Sequence, residues 1–370
     1  MASPTPPRFA TLDALRGLLA LGVAVYHLSV WFGLTPAGSL ANMALAKAGN
    51  YSVSAFFVLT GFLLARTAPW PAIARQGVGR WALKRLLRLA PLFWIAVAAD
   101  LAFGLGMGPE PKARFILENV TLTFGLFHPN HALVTGGWYV GVAVIAYAAW
   151  PPVAWLMDQL GSWFLLVLAA ALVVWSLEPT LHGVLAEVGD NRFHAYVLPG
   201  NQLFLVALGA VGGWVHRRTE ARLGHLAFLA CAGLVLWLLF RPFPWFGDHL
   251  VALTGPLRYR YVACVTALVL LAAFHRGVRT RPDTYGHQGV RTCPDTAGRR
   301  GWTGPWLRPL THLGAWSYGI YLAHPFTQRL VAPHQGGWAG LAVALLAAVA
   351  LAAGAHRWVE APLGRLGADR

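Results

Sequence analysis

The sequence predicts an all-α, polytopic membrane helical bundle of about ten transmembrane helices, and three observations predict it. Of 370 residues, 57% are hydrophobic and only 12% are charged, against about 25% charged in a soluble chain. Mean hydropathy is +0.53. The apolar runs approach twenty residues, the length a helix needs to cross a bilayer and far longer than barrel strands. Backbone polar groups in lipid must be satisfied internally, so runs of this length pack as helices.

Taken in order, the runs predict spans at 12–32, 50–67, 81–104, 137–157, 162–178, 198–216, 224–242, 255–275, 313–332 and 337–358. The short start, Met1 to Pro7, has no signal-peptide cleavage pattern, so the first run reads as a retained span. The weaker stretch Phe115–Phe127 is interrupted and flanked by Pro111 and Pro129, and reads as interfacial or re-entrant. An even count places both termini on one side. With the N-terminus inside, the inner segments hold Arg8 and Arg16, six Lys/Arg from Arg66 to Arg88, three from Arg217 to Arg222, seven from Arg276 to Arg308 and three from Arg357 to Arg370. That is 21 of 29, leaving 8 outside. The positive-inside rule therefore predicts a multi-pass protein of the plasma membrane with both termini cytoplasmic. It also accounts for the net charge of +15 without nucleic acid.

The whole chain, 1–370, reads as a single integral membrane domain. Within it, 276–309 reads as a flexible cytoplasmic loop carrying a tandem duplication, Gly277–Thr284 recurring as Gly289–Thr296 with one change, Arg281 to Cys293. Cys231, Cys264 and Cys293 have no metal-ligand spacing, and two of them lie in apolar segments, so no disulfide framework is expected.

Five runs carry ionisable or polar groups into apolar surroundings. In the first span, Arg16 and His27 are eleven residues apart, close to three helical turns, so they share a face about 16 Å apart along the axis. Ionisable groups in lipid cost several kcal/mol by most estimates and are usually functional. A neutral imidazole, the form burial favours, can take a proton from an attacking hydroxyl and return it. The alternative is a histidine satisfied by a carbonyl or hydroxyl, with Arg16 as an interface anchor; spacing alone does not choose. In Trp81–Pro91, Arg85 and Arg88 are i,i+3 neighbours at a helix N-terminus, where the dipole disfavours cations and a bound phosphate would relieve the conflict. Topology determination explains them equally simply. Thr60-Gly61 permits close helix approach, which is packing. Trp138 and Tyr147 on the fourth span fit an interfacial belt or a stack on a sugar ring. Tyr318, Tyr321 and His324 follow on the ninth span, with Tyr321 and His324 on one face. They fit either a cavity lining or interhelical hydrogen bonds.

In order and spacing together, these runs resemble the acyltransferase 3 family of integral membrane acyltransferases. The resemblance rests on Leu12, Asp13, Leu15, Arg16 and Gly17 with His27 eleven residues on, on Phe56–Phe62, on Arg85-x-x-Arg88 with Pro91, on Trp138 with Tyr147, on Ser317-Tyr318 through Tyr321 and His324, and on the closing Glu360-Ala361-Pro362. It covers Arg8 to Pro362. It implies O-acyl transfer from a cytoplasmic acyl-CoA, usually acetyl-CoA, to a hydroxyl of a carbohydrate-containing or lipid-linked acceptor. It implies no metal. His27, with Arg16 and Asp13, is the implied catalytic group. Arg85 and Arg88 are the implied CoA-binding pair, and Trp138, Tyr147, Tyr318, Tyr321 and His324 line the substrate. The expected partners are the bilayer, acyl-CoA and a saccharide or glycolipid. One position departs from the pattern. Many members have a glutamate five residues after the tryptophan matched by Trp138, and here that residue is Ala143. Asp13, one turn from Arg16, and Asp100, in the outer part of the third span, are the candidate substitutes. The same ten spans also suit a carrier of a small solute or lipid-linked sugar, although no inverted repeat is evident. Ala143 keeps open a non-catalytic member.

Overall fold

The computed structural model describes residues 8–36, 38–104, 112–185, 190–219, 223–241, 257–275, 279–280 and 307–366. The predicted loop 276–309, with its duplication, lies outside them apart from Arg279–Thr280 and residues 307–309.

Each predicted span is a helix. They are α1 (Ala10–Trp31), α2 (Leu40–Thr67), α4 (Val78–Phe103), α7 (Trp138–Leu160), α8 (Trp163–Leu185), α10 (Leu203–Arg218), α11 (His225–Phe240), α12 (Leu257–Phe274), α13 (Leu307–Val331) and α14 (Gly337–Ala355). Among the described residues, five helices, namely α1, α2, α4, α7 and the α14 segment, are long and apolar enough to cross a membrane on length and composition alone. The short helices α3 (Trp70–Gln76), α5 (Ala113–Thr121), α6 (Phe124–Phe127), α9 (Asp190–Val197) and α15 (Ala361–Leu366) connect or end the bundle. At nine and four residues, α5 and α6 are too short to span, as expected of the interrupted stretch. A pair of two-residue strands, Arg8–Phe9 and Arg279–Thr280, adds one antiparallel contact at the head of α1.

The boundaries differ from the sequence reading by up to ten residues: α8 runs on to Leu185, and α4 begins at Val78, which puts Arg85 and Arg88 in its second and third turns rather than at its N-terminus. Helix α2 starts ten residues earlier than the apolar run, because the Ser39 side chain accepts the Asn42 N–H (3.1 Å) and caps it. Asn42, Lys47 and Asn50 are then helical without being apolar. Helix α13 likewise begins at Leu307, six residues ahead of its apolar stretch. Pro91, Pro151, Pro152 and Pro325 lie inside helices, which membrane bundles tolerate because neighbouring groups satisfy the freed carbonyls.

Helix α1 packs between α2 and α13, α2 packs on α10, and α13 packs on α14. Phe57, Phe62, Phe93, Phe124 and Phe204 are fully buried in the centre. The outer helices expose Leu226, Leu229 and Trp237 on α11 and Trp338, Leu346 and Leu351 on α14, an apolar rim suited to lipid contact.

Cross-contacts fix which helix ends lie together. At one end, the Thr11 hydroxyl donates to the Ala272 carbonyl (2.8 Å), Arg66 Nε to His216 Nδ1 (3.3 Å) and the Leu223 N–H to the Phe274 carbonyl (2.8 Å). At the other, Lys47 Nζ reaches the Arg241 carbonyl (3.3 Å). The start of α1 thus lies with the ends of α10 and α12, as alternating spans require.

Candidate active site

The site follows the seam between α1 and α13, which run parallel. At the head of the seam the backbones nearly touch. A Cβ on Gly17 would lie 2.8 Å from Leu313 Cβ and 2.9 Å from the Gly314 nitrogen and the Leu310 carbonyl, so only glycine allows this approach. From there Arg16 Nη2 reaches Ser317 Oγ (3.3 Å), and two turns further along α13, His27 Nδ1 meets His324 Nε2 (3.0 Å). The shared face predicted for Arg16 and His27 is therefore the α13 face.

The imidazoles are nearly coplanar (6°) with centroids 5.2 Å apart, and Trp31 stacks on His27 at 5.0 Å. His324 is buried, whereas His27 is partly accessible. Which nitrogen carries a proton follows from the backbone. Pro325 has no N–H. His324 Nδ1 lies 3.3 Å from the Ile320 carbonyl, and the His324 ring also hydrogen-bonds the Tyr321 carbonyl, which Pro325 leaves without a helical donor. Carbonyls only accept, so His324 carries its proton on Nδ1 and its Nε2 accepts. His27 Nδ1–H must then donate, and the lone pair of His27 Nε2 is left for substrate.

Around Arg16 the charge is one-sided. Asp13 Oδ1 is 3.8 Å from Arg16 Nη1. Arg88 bears on Arg16 electrostatically, as do the phenols of Tyr139 and Tyr147. Arg85 sits over the rings of Trp81 (5.5 Å) and Tyr147 (5.8 Å) and within the field of Arg88. Three arginines thus converge with one carboxylate, at the end of the bundle that holds the start of α1. The Tyr318 hydroxyl donates to the Leu89 carbonyl (2.8 Å) and pins α13 to α4 there.

Tyr139 joins the two halves. It hydrogen-bonds Thr60 and acts on Arg16, and its ring lies 5.6 Å from Tyr321, whose ring is 6.1 Å from His324. The Tyr321 hydroxyl donates to the Gly136 carbonyl (2.8 Å). Trp138 points into the core and packs against Phe57 (6.0 Å) and Tyr196 (5.2 Å). The Thr60-Gly61 run does what packing requires: a Cβ on Gly61 would strike the Val206 carbonyl of α10. On α7, Ala143 is four residues from both Tyr139 and Tyr147, so its buried methyl lies on the face turned to the arginines.

The structure therefore gathers Asp13, Arg16, His27, Arg85, Arg88, Tyr147, Tyr318, Tyr321 and His324 along one seam, with Trp138 to the side. Three neighbours were not singled out in the sequence: Ser317, Tyr139 and Trp31. Trp31 had a signal, since it is i+4 to His27. Ser317 and Tyr139 were visible only as parts of motifs.

A family model described as an acyltransferase domain, that of the acyltransferase 3 family, matches residues 9–357. Among curated proteins, "Protein 2 in picA locus" of Rhizobium radiobacter is 33% identical over 104 residues, 28% of this chain and 49% of that protein. The chain spans about half the length of that relative. No solved structure matches.

Proposed function

The chain belongs to the acyltransferase 3 family, and from that premise we propose that this membrane acyltransferase moves an acyl group, acetyl in the simplest case, from cytoplasmic acyl-CoA to a hydroxyl of a saccharide or lipid-linked acceptor. Family membership favours the enzyme over the carrier reading of the ten spans. The observation that carries the chemistry is the seam itself, with a cationic end at Arg16 and an oriented imidazole about three turns away at His27.

In this reading Arg16, Arg85 and Arg88 hold the phosphates of the donor, since arginine forks suit phosphate oxygens. The pantetheine arm runs from them toward His27. His27 Nε2 takes the proton of the acceptor hydroxyl as its oxygen attacks the thioester carbonyl carbon. The tetrahedral oxyanion collapses, the C–S bond breaks, and His27 returns the proton to the leaving thiolate, giving the free thiol and the neutral imidazole. His324 positions His27 by accepting from its Nδ1. The Lys/Arg distribution supports a cytoplasmic cationic end with His27 toward the outer half of the membrane, and in this reading the donor enters from inside and the acceptor from outside.

The test is steady-state acyl-CoA consumption by purified protein. His27→Ala is expected to lower kcat about 10²–10⁴-fold with the protein still folded. Arg85→Ala with Arg88→Ala is expected to raise KM for acyl-CoA. Normal turnover in His27→Ala, or unchanged donor affinity in the double variant, would overturn the corresponding role. Mass spectrometry of surface glycans and small metabolites, with and without the protein, identifies the acceptor.

A further inference from the structure

A second cluster of titratable groups lies away from the seam, in the segment between α4 and α7. Helix α5 presents Glu118, and the short turn Pro129–His131 with the residue before it presents His128 and His131. Glu118 Oε1 is 3.1 Å from His128 Nδ1, and Oε2 is 2.8 Å from His131 Nδ1. The three ligand atoms lie within 4.8 Å of one another. From these distances we propose that Glu118, His128 and His131 form a binding site for a divalent first-row transition cation, with zinc as the reference ion.

The donor set is the first argument. Two imidazoles and one carboxylate are a standard zinc set that leaves a fourth position for water. Donors at about 2.0–2.1 Å in a tetrahedron are about 3.3–3.4 Å apart, so both carboxylate–imidazole separations need open by only a few tenths of an ångström. The second argument is the support behind the ligands. The Asn119 side chain donates to the carbonyls of Phe115 and His131 (2.8 Å each) and accepts the Leu133 N–H (3.1 Å). Phe115 stacks on His131 at 3.9 Å. Glu118 and His131 are thereby held in place, the kind of second layer that metal sites need.

Two features set the cost of binding. Arg114 Nε donates to Glu118 Oε1 (2.8 Å), and its Nη2 lies 3.0–3.2 Å from the ring nitrogens of His128. It occupies the cation's place, but its side chain is 63% exposed and free to swing out. The His128 and His131 rings stack almost parallel, 4.4 Å apart and 9° from coplanar. A metal lies in the plane of each imidazole it binds, so the rings must splay about their Nδ1 edges. His128, the more exposed of the two, is the one able to move. The three residues are ten and three apart in sequence, a spacing that reveals no metal motif. Only the fold of α5 onto the following turn assembles them.

The experiment uses the full chain in detergent, stripped with chelator and dialysed against zinc chloride, with bound zinc counted by elemental analysis. One saturable zinc per chain is expected. Glu118→Gln and His131→Ala should each weaken it more than about tenfold, with melting temperature in the metal-free state checking the fold. Arg114→Ala should tighten it, because a competing cation is removed. That variant keeps the test decisive even where a ligand variant fails to fold. No saturable zinc in the unaltered chain, equal zinc in the ligand variants, or weaker binding in Arg114→Ala would each overturn the site in favour of a salt-bridged cluster.

Discussion

Because Pro325 lacks an N–H, the Tyr321 carbonyl has no helical donor four residues on, and the His324 imidazole serves it instead. Together with the contact to the Ile320 carbonyl (3.3 Å), that bond sets the proton on His324 Nδ1 and so the polarity of the His27–His324 pair. Pro325→Ala returns a backbone donor to that carbonyl and leaves the tautomer of His324 less constrained. The expected result is a fall in kcat with KM for acyl-CoA unchanged, smaller than for His27→Ala. His324→Ala removes the acceptor of a part-buried hydrogen bond, worth about 1–3 kcal/mol, and should lower kcat by tenfold to a hundredfold, again with KM held. Steady-state kinetics of the three variants separates positioning from chemistry, since a purely structural defect would move KM and melting temperature together. At Ala143 the prediction concerns charge. A glutamate there would stand between Tyr139 and Tyr147, facing three arginines. If those arginines bind phosphate, Ala143→Glu should raise KM for acyl-CoA about fivefold, roughly 1 kcal/mol. A lower KM with a higher kcat would instead assign that position to acid–base work. At this scale the sequence was a good guide to identity and a poor one to pairing. Arg16 and His27 stood out because charge is costly in lipid. That Ser317 and His324 are their partners depends on contacts across about 300 residues, which no local spacing encodes.

Among the elements, the ten apolar runs were legible because bilayer thickness sets a length that sequence displays directly. Helix starts were less so, because a helix continues past the apolar stretch wherever a cap and good geometry allow, as Ser39 does for α2. The parallel contact of α1 and α13 was not legible. It depends on two glycines, Gly17 and Gly314, among 40 in the chain, and small residues are frequent in every membrane helix. Their role is testable. Gly17→Ala forces a methyl to within 3 Å of Leu313 Cβ and two backbone atoms, and overpacking of this kind costs about 1–3 kcal/mol. The melting temperature in detergent should fall and turnover with it, since the seam carries both Arg16 and His27. Gly79→Ala is the control. It sits in the first turn of α4 with nothing within 4 Å of the added Cβ, and should leave melting unchanged or slightly raised.

For the molecule as a whole, the cross-contacts fix which helix ends lie together, and the charge count supports one of those ends as the inner one. These are independent arguments. Thr11 with Ala272 and Arg66 with His216 place the start of α1 beside the ends of α2, α10 and α12. On the positive-inside rule, the excess of Lys/Arg in the segments that join those ends favours the cytoplasmic side for them. In the proposed reading, Arg16, near the start of α1, faces the acyl-CoA pool, and His27 lies toward the opposite surface. The arrangement makes a sidedness prediction. In proteoliposomes where protease access to a C-terminal tag reports orientation, acyl-CoA should be consumed only when supplied on the side of the tag. A hydroxyl acceptor too polar to cross the bilayer should be acylated only when supplied on the other side. Consumption of acyl-CoA presented solely opposite the tag would place the donor site at the wrong end of the seam. Acylation of an acceptor confined to the tag side would show that both substrates enter from the arginine end, and would remove any need for His27 to lie in the outer half of the membrane.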